Sequence, residues 1–416
     1  MKVLLISLLL VSFILMYRDT LTMNMIIFLT IQRGILTTNC RWWALSNLLT
    51  SDTTGVHLYT RLKQQHSPIY PFNIFGRTIH IVFAEPYIRT LLDESPFTYG
   101  VGSLKYNFFH SFMPLNVGVS QGEAWVRRRR LNEHVLTTAV DLNLPYSYTQ
   151  TLPTTYTEFS ILGRTMMERV VFGTDSTVPM DVLAIFKEAN SLSALFSSHS
   201  PVSTCTYRKY RKYLSNAYHH PSPNSLVSYI QKDSLTTDEI LDQIPHWMFP
   251  IMGLFSNIIP RVLLLVFTHR YVSLDPQVIR RCILETLRLN NPVNSTFRSA
   301  LHEVYLDKPY PKNTQFLIIN NPVLRDPTVF PHPNEFIPDR WLDPTLEHSY
   351  YALMFNQGPQ ICPGKDLVIQ LATNYIQYYL TQLQGFQVHV SPIIDTKNIP
   401  QMINACEIEF SVQPYR

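Results

Sequence analysis

The chain has 416 residues, 46% of them hydrophobic and 15% charged, with a formal net charge of +4. That apolar content can bury a large core, in one domain as plausibly as two, and so weak a positive balance does not argue for nucleic acid as a partner. The five cysteines, Cys40, Cys205, Cys282, Cys362 and Cys406, are scattered without a C-x-x-C pair; they suggest a reducing compartment rather than a disulfide framework.

At the amino terminus Lys2 precedes an apolar run from Val3 to Met16, then Arg18 and Asp19. That run is shorter than the ~20 residues that span a bilayer core, so a cleaved signal peptide competes with a retained anchor. No small-x-small cleavage site follows. The reading is an anchor over residues 1–22, a linker over 23–70 and a single body over 71–416, with Lys2 and Arg18 reaching toward the headgroups.

Within the body, alternation from Gly76 to Phe83 predicts a strand. Trp125 and Arg129 are four apart, share one helical face, and both donate hydrogen bonds that suit a carboxylate. Thr236 and Glu239 form a capping box that opens a long apolar stretch to about Phe267. Pro245, Pro250 and Pro260 interrupt it and predict kinks. Pro276 to Asn290 reads as a helix bearing Glu285 and Arg288 at i, i+3; in isolation that pair is equally a solvated ion pair of small worth.

Phe355, Gly358, Cys362 and Gly364 mark a loop directly ahead of an apolar helical run. Glycines allow tight turns around the sulfur, and a following helix N-terminus favours the thiolate; a buried small hydrophobe is the plainer role of such a cysteine. Alternation over Gln387–Val390 and Glu407–Val412 predicts a closing hairpin. The fold class is mainly α with a smaller β region.

The spacing from Phe355 to Gly364 resembles the haem-binding loop of the cytochrome P-450 superfamily, whose cysteine thiolate is the proximal ligand of haem iron. Glu285 and Arg288, with Phe336, Pro338, Arg340 and Trp341 further on, resemble the family segments whose Glu-Arg-Arg triad locks the structure beneath the haem. Trp125 and Arg129 are similar to the family's helix C pair that binds haem propionates, and Pro292, Val293 and Arg298 resemble the segment supplying another propionate arginine. Gln360 stands where the family usually carries Arg or His. The resemblance implies a cytochrome P-450-like fold, haem b on Cys362 as metal ligand, and cofactor contacts from Trp125, Arg129, Arg298, Phe355, Gly358, Gln360, Cys362 and Gly364.

In the family's oxygen-activating helix, Met252, Gly253, Leu254, Phe255 and Ser256 give the best register. Ser256 keeps an alcohol, Asn257 follows it, and Phe255 replaces the acid. Ser256 and Asn257 are thus the catalytic candidates; close packing of small residues is the alternative for Gly253 and Ser256. Only 29 positions separate Ser256 from Glu285, a short region for the family.

What the resemblance implies is a haem-dependent monooxygenase that inserts one oxygen atom from O2 into a hydrophobic small molecule. Electrons would come from NADPH through a separate reductase, at a membrane that is expected to be the endoplasmic reticulum, with the body facing the cytosol. Arg127, Arg128 and Arg130 are either docking cations for that acidic donor or a solvated helix face. A haem-thiolate isomerase or dehydratase, a peroxide-driven enzyme, and a noncatalytic haem-binding protein are the alternatives.

Overall fold

The computed structural model describes residues 63, 68–74, 77–142, 151–174, 176–189, 202–231, 235–293, 295–401 and 403–414. The expected anchor over 1–22 and almost all of the linker over 23–70 lie outside them. In chain order come β1 (Ile69–Ile74), β2 (Arg77–Val82), α1 (Glu85–Asp93), β3 (Tyr99–Val101), α2 (Ser103–His110), α3 (Gly122–Thr138), α4 (Tyr156–Phe172), α5 (Met180–Ala189) and α6 (Thr204–His219). The middle of the chain supplies α7 (Thr237–Leu241), α8 (Ile244–Gly253), a π-helical turn over Leu254–Ile258, α9 (Ile259–Thr268) and α10 (Pro276–Leu289). The remainder is β4 (Ser295–Ala300), β5 (Val304–Tyr305), β6 (Pro309–Tyr310), β7 (Gln315–Ile319), α11 (Asn320–Val323), α12 (Lys365–Gln382), β8 (Phe386–Ser391) and β9 (Glu409–Pro414).

The expected strand near Gly76 is β2, whose alternation buries Ile79 and Ile81. It sits in a five-stranded sheet of order β1-β2-β7-β4-β3, with β2 and β7 parallel and the other pairs antiparallel. Ile69, Phe72, Leu91, Phe316 and Leu317 form a core on this sheet, separate from the larger core among the helices. The predicted hairpin is β8 and β9, paired from Phe386↔Pro414 to Ser391↔Glu409.

The predicted capping box is formed: Thr236 accepts from the Glu239 N–H while the Glu239 carboxylate accepts from the Thr236 N–H. The apolar stretch it opens is not one regular helix. Pro260 lacks the N–H that would bond the Ser256 carbonyl, and the N–H of Ile259 bonds back to the Leu254 carbonyl, an i→i−5 contact that makes the π turn. Thr237–Thr268 is apolar and long enough to cross a membrane, but 78% of its most apolar window is buried inside the protein; it is a core element.

The cysteine spacing suggests a reducing compartment rather than a disulfide framework; one described cysteine is nonetheless bonded. Cys205, Cys282 and Cys362 are free thiols, whereas Cys406 is disulfide-bonded. Scattered spacing carries no information on which cysteines the fold brings within bonding distance.

Candidate functional site

Glu285 is the best-satisfied carboxylate of the described chain. It lies on α10, fully buried, and accepts from Arg288 Nε and Nη2 at 2.9 and 2.8 Å, Arg340 Nε at 3.0 Å, the Ile337 N–H at 3.0 Å and Trp341 Nε1 at 2.9 Å. Burial alone would raise its pKa, but Arg288 and Arg340 hold the carboxyl below its ordinary value. Arg288 also donates to the carbonyls of Leu324, Pro333 and Glu335. The Glu285, Arg288 and Arg340 constellation expected from sequence is therefore present, and the surface-pair reading is excluded by burial. Sequence reasoning gave Trp341 no role; its place directly after Arg340 was the available signal.

The cysteine loop is clamped from several sides. The Cys362 N–H donates to the Phe355 carbonyl at 2.8 Å, Asn356 Nδ2 donates to the Gln360 carbonyl at 3.0 Å, and Gln357 Nε2 donates to the carbonyls of Glu347, Ser349 and Ala352. Lys365, the first residue of α12, pairs with Glu347 at 2.8 Å. These contacts fix where Cys362 stands without using its sulfur.

The sulfur has an electropositive setting. The Gly364 N–H points at it and the Arg129 guanidinium lies near; burial nonetheless leaves the thiol of the protein alone with a raised pKa. Burial is the largest cause, and a cationic ligand at the sulfur is what would reverse it.

The two loop glycines differ. Gly358 has φ +70°, and a Cβ there would stand 2.6 Å from the Leu92 carbonyl oxygen of α1. Gly364 has φ −96° and would bring a Cβ no nearer than 3.6 Å to Leu136, so a tight turn does not require it. Gly358→Ala should lower stability by about 1–3 kcal/mol through backbone strain and that clash, read as a fall in melting temperature; Gly364→Ala should change it far less. Equal melting temperatures for the two variants would contradict this.

Arg129 touches the same loop, and Trp125 and Arg298 meet the segment that follows α1. On α3, Trp125 and Arg129 are both buried; Arg129 donates from Nη1 to the Ile361 carbonyl at 2.6 Å and from Nε to Glu133 at 2.6 Å. Trp125 packs edge-on against Phe97, just beyond α1. Arg298 on β4 is 3% exposed and donates from Nε to Ser95 Oγ at 2.7 Å, while Ser95 donates to the Leu91 carbonyl. The carboxy-terminal end of α1 thus touches Gly358 through Leu92, Arg298 through Ser95 and Trp125 through Phe97. Arg298 Nη2 is buried without a hydrogen-bond partner, and burial lowers its pKa to about 10. The Gln360 side chain, half-buried, makes no hydrogen bond.

The buried Arg298 Nη2, a donor with no partner among the described residues, suits a carboxylate. The donor set, one thiol together with indole and guanidinium groups, fits a metal cofactor with carboxylate side arms. Arg128 does not join the docking face expected of it: it is buried, bonding Glu239 and Ser120. Arg130 remains exposed.

The π turn places its side chains in different directions. Phe255 is fully buried and packs edge-on against Tyr375 of α12. Ser256 donates to the Met252 carbonyl at 2.9 Å, and its Cβ lies 3.2 Å from the position a Cβ at Gly163 of α4 would take. This is the close packing weighed as the alternative for Ser256. Asn257 Nδ2 donates to Ser256 Oγ at 2.8 Å, while its Oδ1 is buried without a partner. An acid at position 255 would face Tyr375, so the Phe255 substitution is better explained as packing than as the loss of a proton donor.

Residues 277–412 match the cytochrome P450 family. The chain is 33% identical over 110 residues to cytochrome P450 85A3 of Solanum lycopersicum, covering 26% of this chain and 24% of that protein. It is likewise 33% identical over 124 residues to the mitochondrial sterol 26-hydroxylase of Mus musculus, covering 28% and 22%. Residues 277–412 thus carry the sequence signature of the cytochrome P450 family. These alignments span about a quarter of each relative's length.

The P450 fold extends well beyond the matched segment. A retinoic acid-bound cyanobacterial CYP120A1 superposes with a TM-score of 0.64 at 16% identity, over 85% of this chain and 93% of that one. Ligand-free cytochrome P450 OleT gives 0.68 at 12% identity, over 88% and 96%.

Proposed function

We propose that this chain is a haem-dependent monooxygenase that inserts one oxygen atom from O2 into a hydrophobic small molecule, with electrons from NADPH reaching it through a separate reductase. The observation that carries the reading is the convergence of the clamped Cys362 loop with the unanswered donor of Arg298. Cys362 would ligate the iron of haem b, and Trp125, Arg129 and Arg298 would hold its propionates. When bound there, haem supplies dioxygen activation and oxygen transfer.

The chain's own residues orient and tune. The Gly364 N–H and Arg129 favour a thiolate at Cys362, and the buried Glu285 assembly fixes the segment from Ile337 to Trp341 against α10. Asn257, with a buried Oδ1 that has no partner among the described residues, is the polar group of the π turn best placed to hold a water; Ser256 orients it by accepting from its Nδ2. Incubation with NADPH, a P450 reductase, O2 and a panel of hydrophobic substrates should give a product one oxygen heavier, labelled by 18O2. Product that instead forms anaerobically from a lipid hydroperoxide supports the second reading, an isomerase, dehydratase or peroxide-driven enzyme.

Residues 1–22 are proposed as the anchor to the endoplasmic reticulum membrane, with the catalytic body in the cytosol. Deleting them should move the protein from the membrane pellet to the soluble fraction while haem content per chain is kept. A full-length protein already soluble would contradict the tether.

A further inference from the structure

Lys105 on α2 has no assigned role, and its surroundings call for one. Val101 pairs with Arg298 across β3 and β4, and a Cβ at Gly102 would lie 3.4 Å from the Arg298 nitrogen, so α2 starts directly against that arginine. Two residues into α2, Lys105 makes no hydrogen bond or ion pair to any described residue; its amine lies 5.7 Å from the centroid of the Phe109 ring. The side chain is half-buried. Phe109 in turn packs on His246 and Phe249 of α8.

The charges around it are all of one kind. Burial first, then Arg298, lower the Lys105 pKa to about 8; burial, then Lys105, lower that of His246 to about 3. Among the described residues, no carboxylate is seen to act on Lys105, His246 or Arg298. Meanwhile Arg129 is already answered by Glu133, and Gln360 brings no charge to the loop. Two desolvated cations side by side, one with a buried unpaired donor, repel unless an anion lies between them.

We propose that Lys105 and Arg298 jointly bind one carboxylate, a haem propionate, and that Lys105 supplies the cation that Gln360 does not. This rests on the reading of the chain as a haem protein. Lys105 is a binding residue in this account and takes no part in proton transfer.

The test compares ferric haem release, from full-length holoprotein to excess apomyoglobin, in wild type, Lys105→Gln and Lys105→Arg. Loss of a charge-assisted contact should speed release by about tenfold or more in Lys105→Gln, with Lys105→Arg restoring most of it. In parallel, the holoproteins are titrated optically with dodecanoic acid and its methyl ester; the preference for acid over ester should be the same in all three. Unchanged haem release overturns the proposal. If release is unchanged while the acid loses its advantage over the ester, the carboxylate is a ligand's and the propionate assignment falls. Loss of fold in both variants, judged by circular dichroism, would make Lys105 a packing residue and overturn it too. A wild type that takes up no haem rejects the haem reading itself, a result separate from any change between variants.

Discussion

Glu285→Ala should yield a chain that neither holds haem nor melts cooperatively near the wild-type temperature. The carboxylate is completely buried and answers five donors from Arg288, Arg340, Trp341 and Ile337. Removing it leaves two guanidinium groups without their counter-charge; Arg288 is fully buried. Breaking a buried pair in this way costs about 3–5 kcal/mol, a large part of the 5–15 kcal/mol typical of a folded domain. Glu285→Gln should fare little better, because it keeps the volume but not the charge. Normal haem content and melting temperature in Glu285→Ala would refute the structural role.

The same group sets an acid limit. Its folded pKa is depressed despite burial, so the stability it contributes is present above its unfolded value, about 4.3. That contribution is lost as pH falls through the lower folded value. Melting temperature should therefore fall steeply only below about pH 4 on account of this group.

Cys362→Ala should have the opposite profile: little change in fold, complete change in chemistry. The loop is held by the main-chain and side-chain contacts of Cys362, Asn356 and Gln357, none of which uses the sulfur. Truncating a partly exposed thiol of this kind should move stability by about 1 kcal/mol or less. Turnover with NADPH and reductase should drop to background, since the only thiol among the described residues of the site has gone. Cys205→Ala and Cys282→Ala should keep turnover, the first being an exposed residue and the second a buried core residue on α10. Retained turnover in Cys362→Ala would remove that residue from the mechanism.

How far the sequence could be read depended on how local each feature is. Cys362 and its glycines, Glu285 with Arg288, and Trp125 with Arg129 lie within short motifs, so residue type and spacing carried them. The β2 strand and the β8–β9 hairpin were readable from alternation for the same reason. What spacing does not encode is the direction a side chain takes once elements pack. Arg128 looked like its exposed neighbours but turns inward to Glu239, which was visible in sequence only as half of a capping box. Phe255 looked like a missing acid but faces Tyr375, because Pro260 imposes a π turn and shifts the faces of the helix. Lys105 lies far in sequence from Arg298, and only the pairing of β3 with β4 brings α2 against that arginine.

The most direct measurement is the difference spectrum of the purified full-length protein, reduced and then exposed to carbon monoxide. A cysteine thiolate ligand at Cys362 predicts a strongly red-shifted absorption band that disappears in Cys362→Ala. Haem bound with an unshifted band, or the same shifted band in the Cys362→Ala variant, would contradict the assignment.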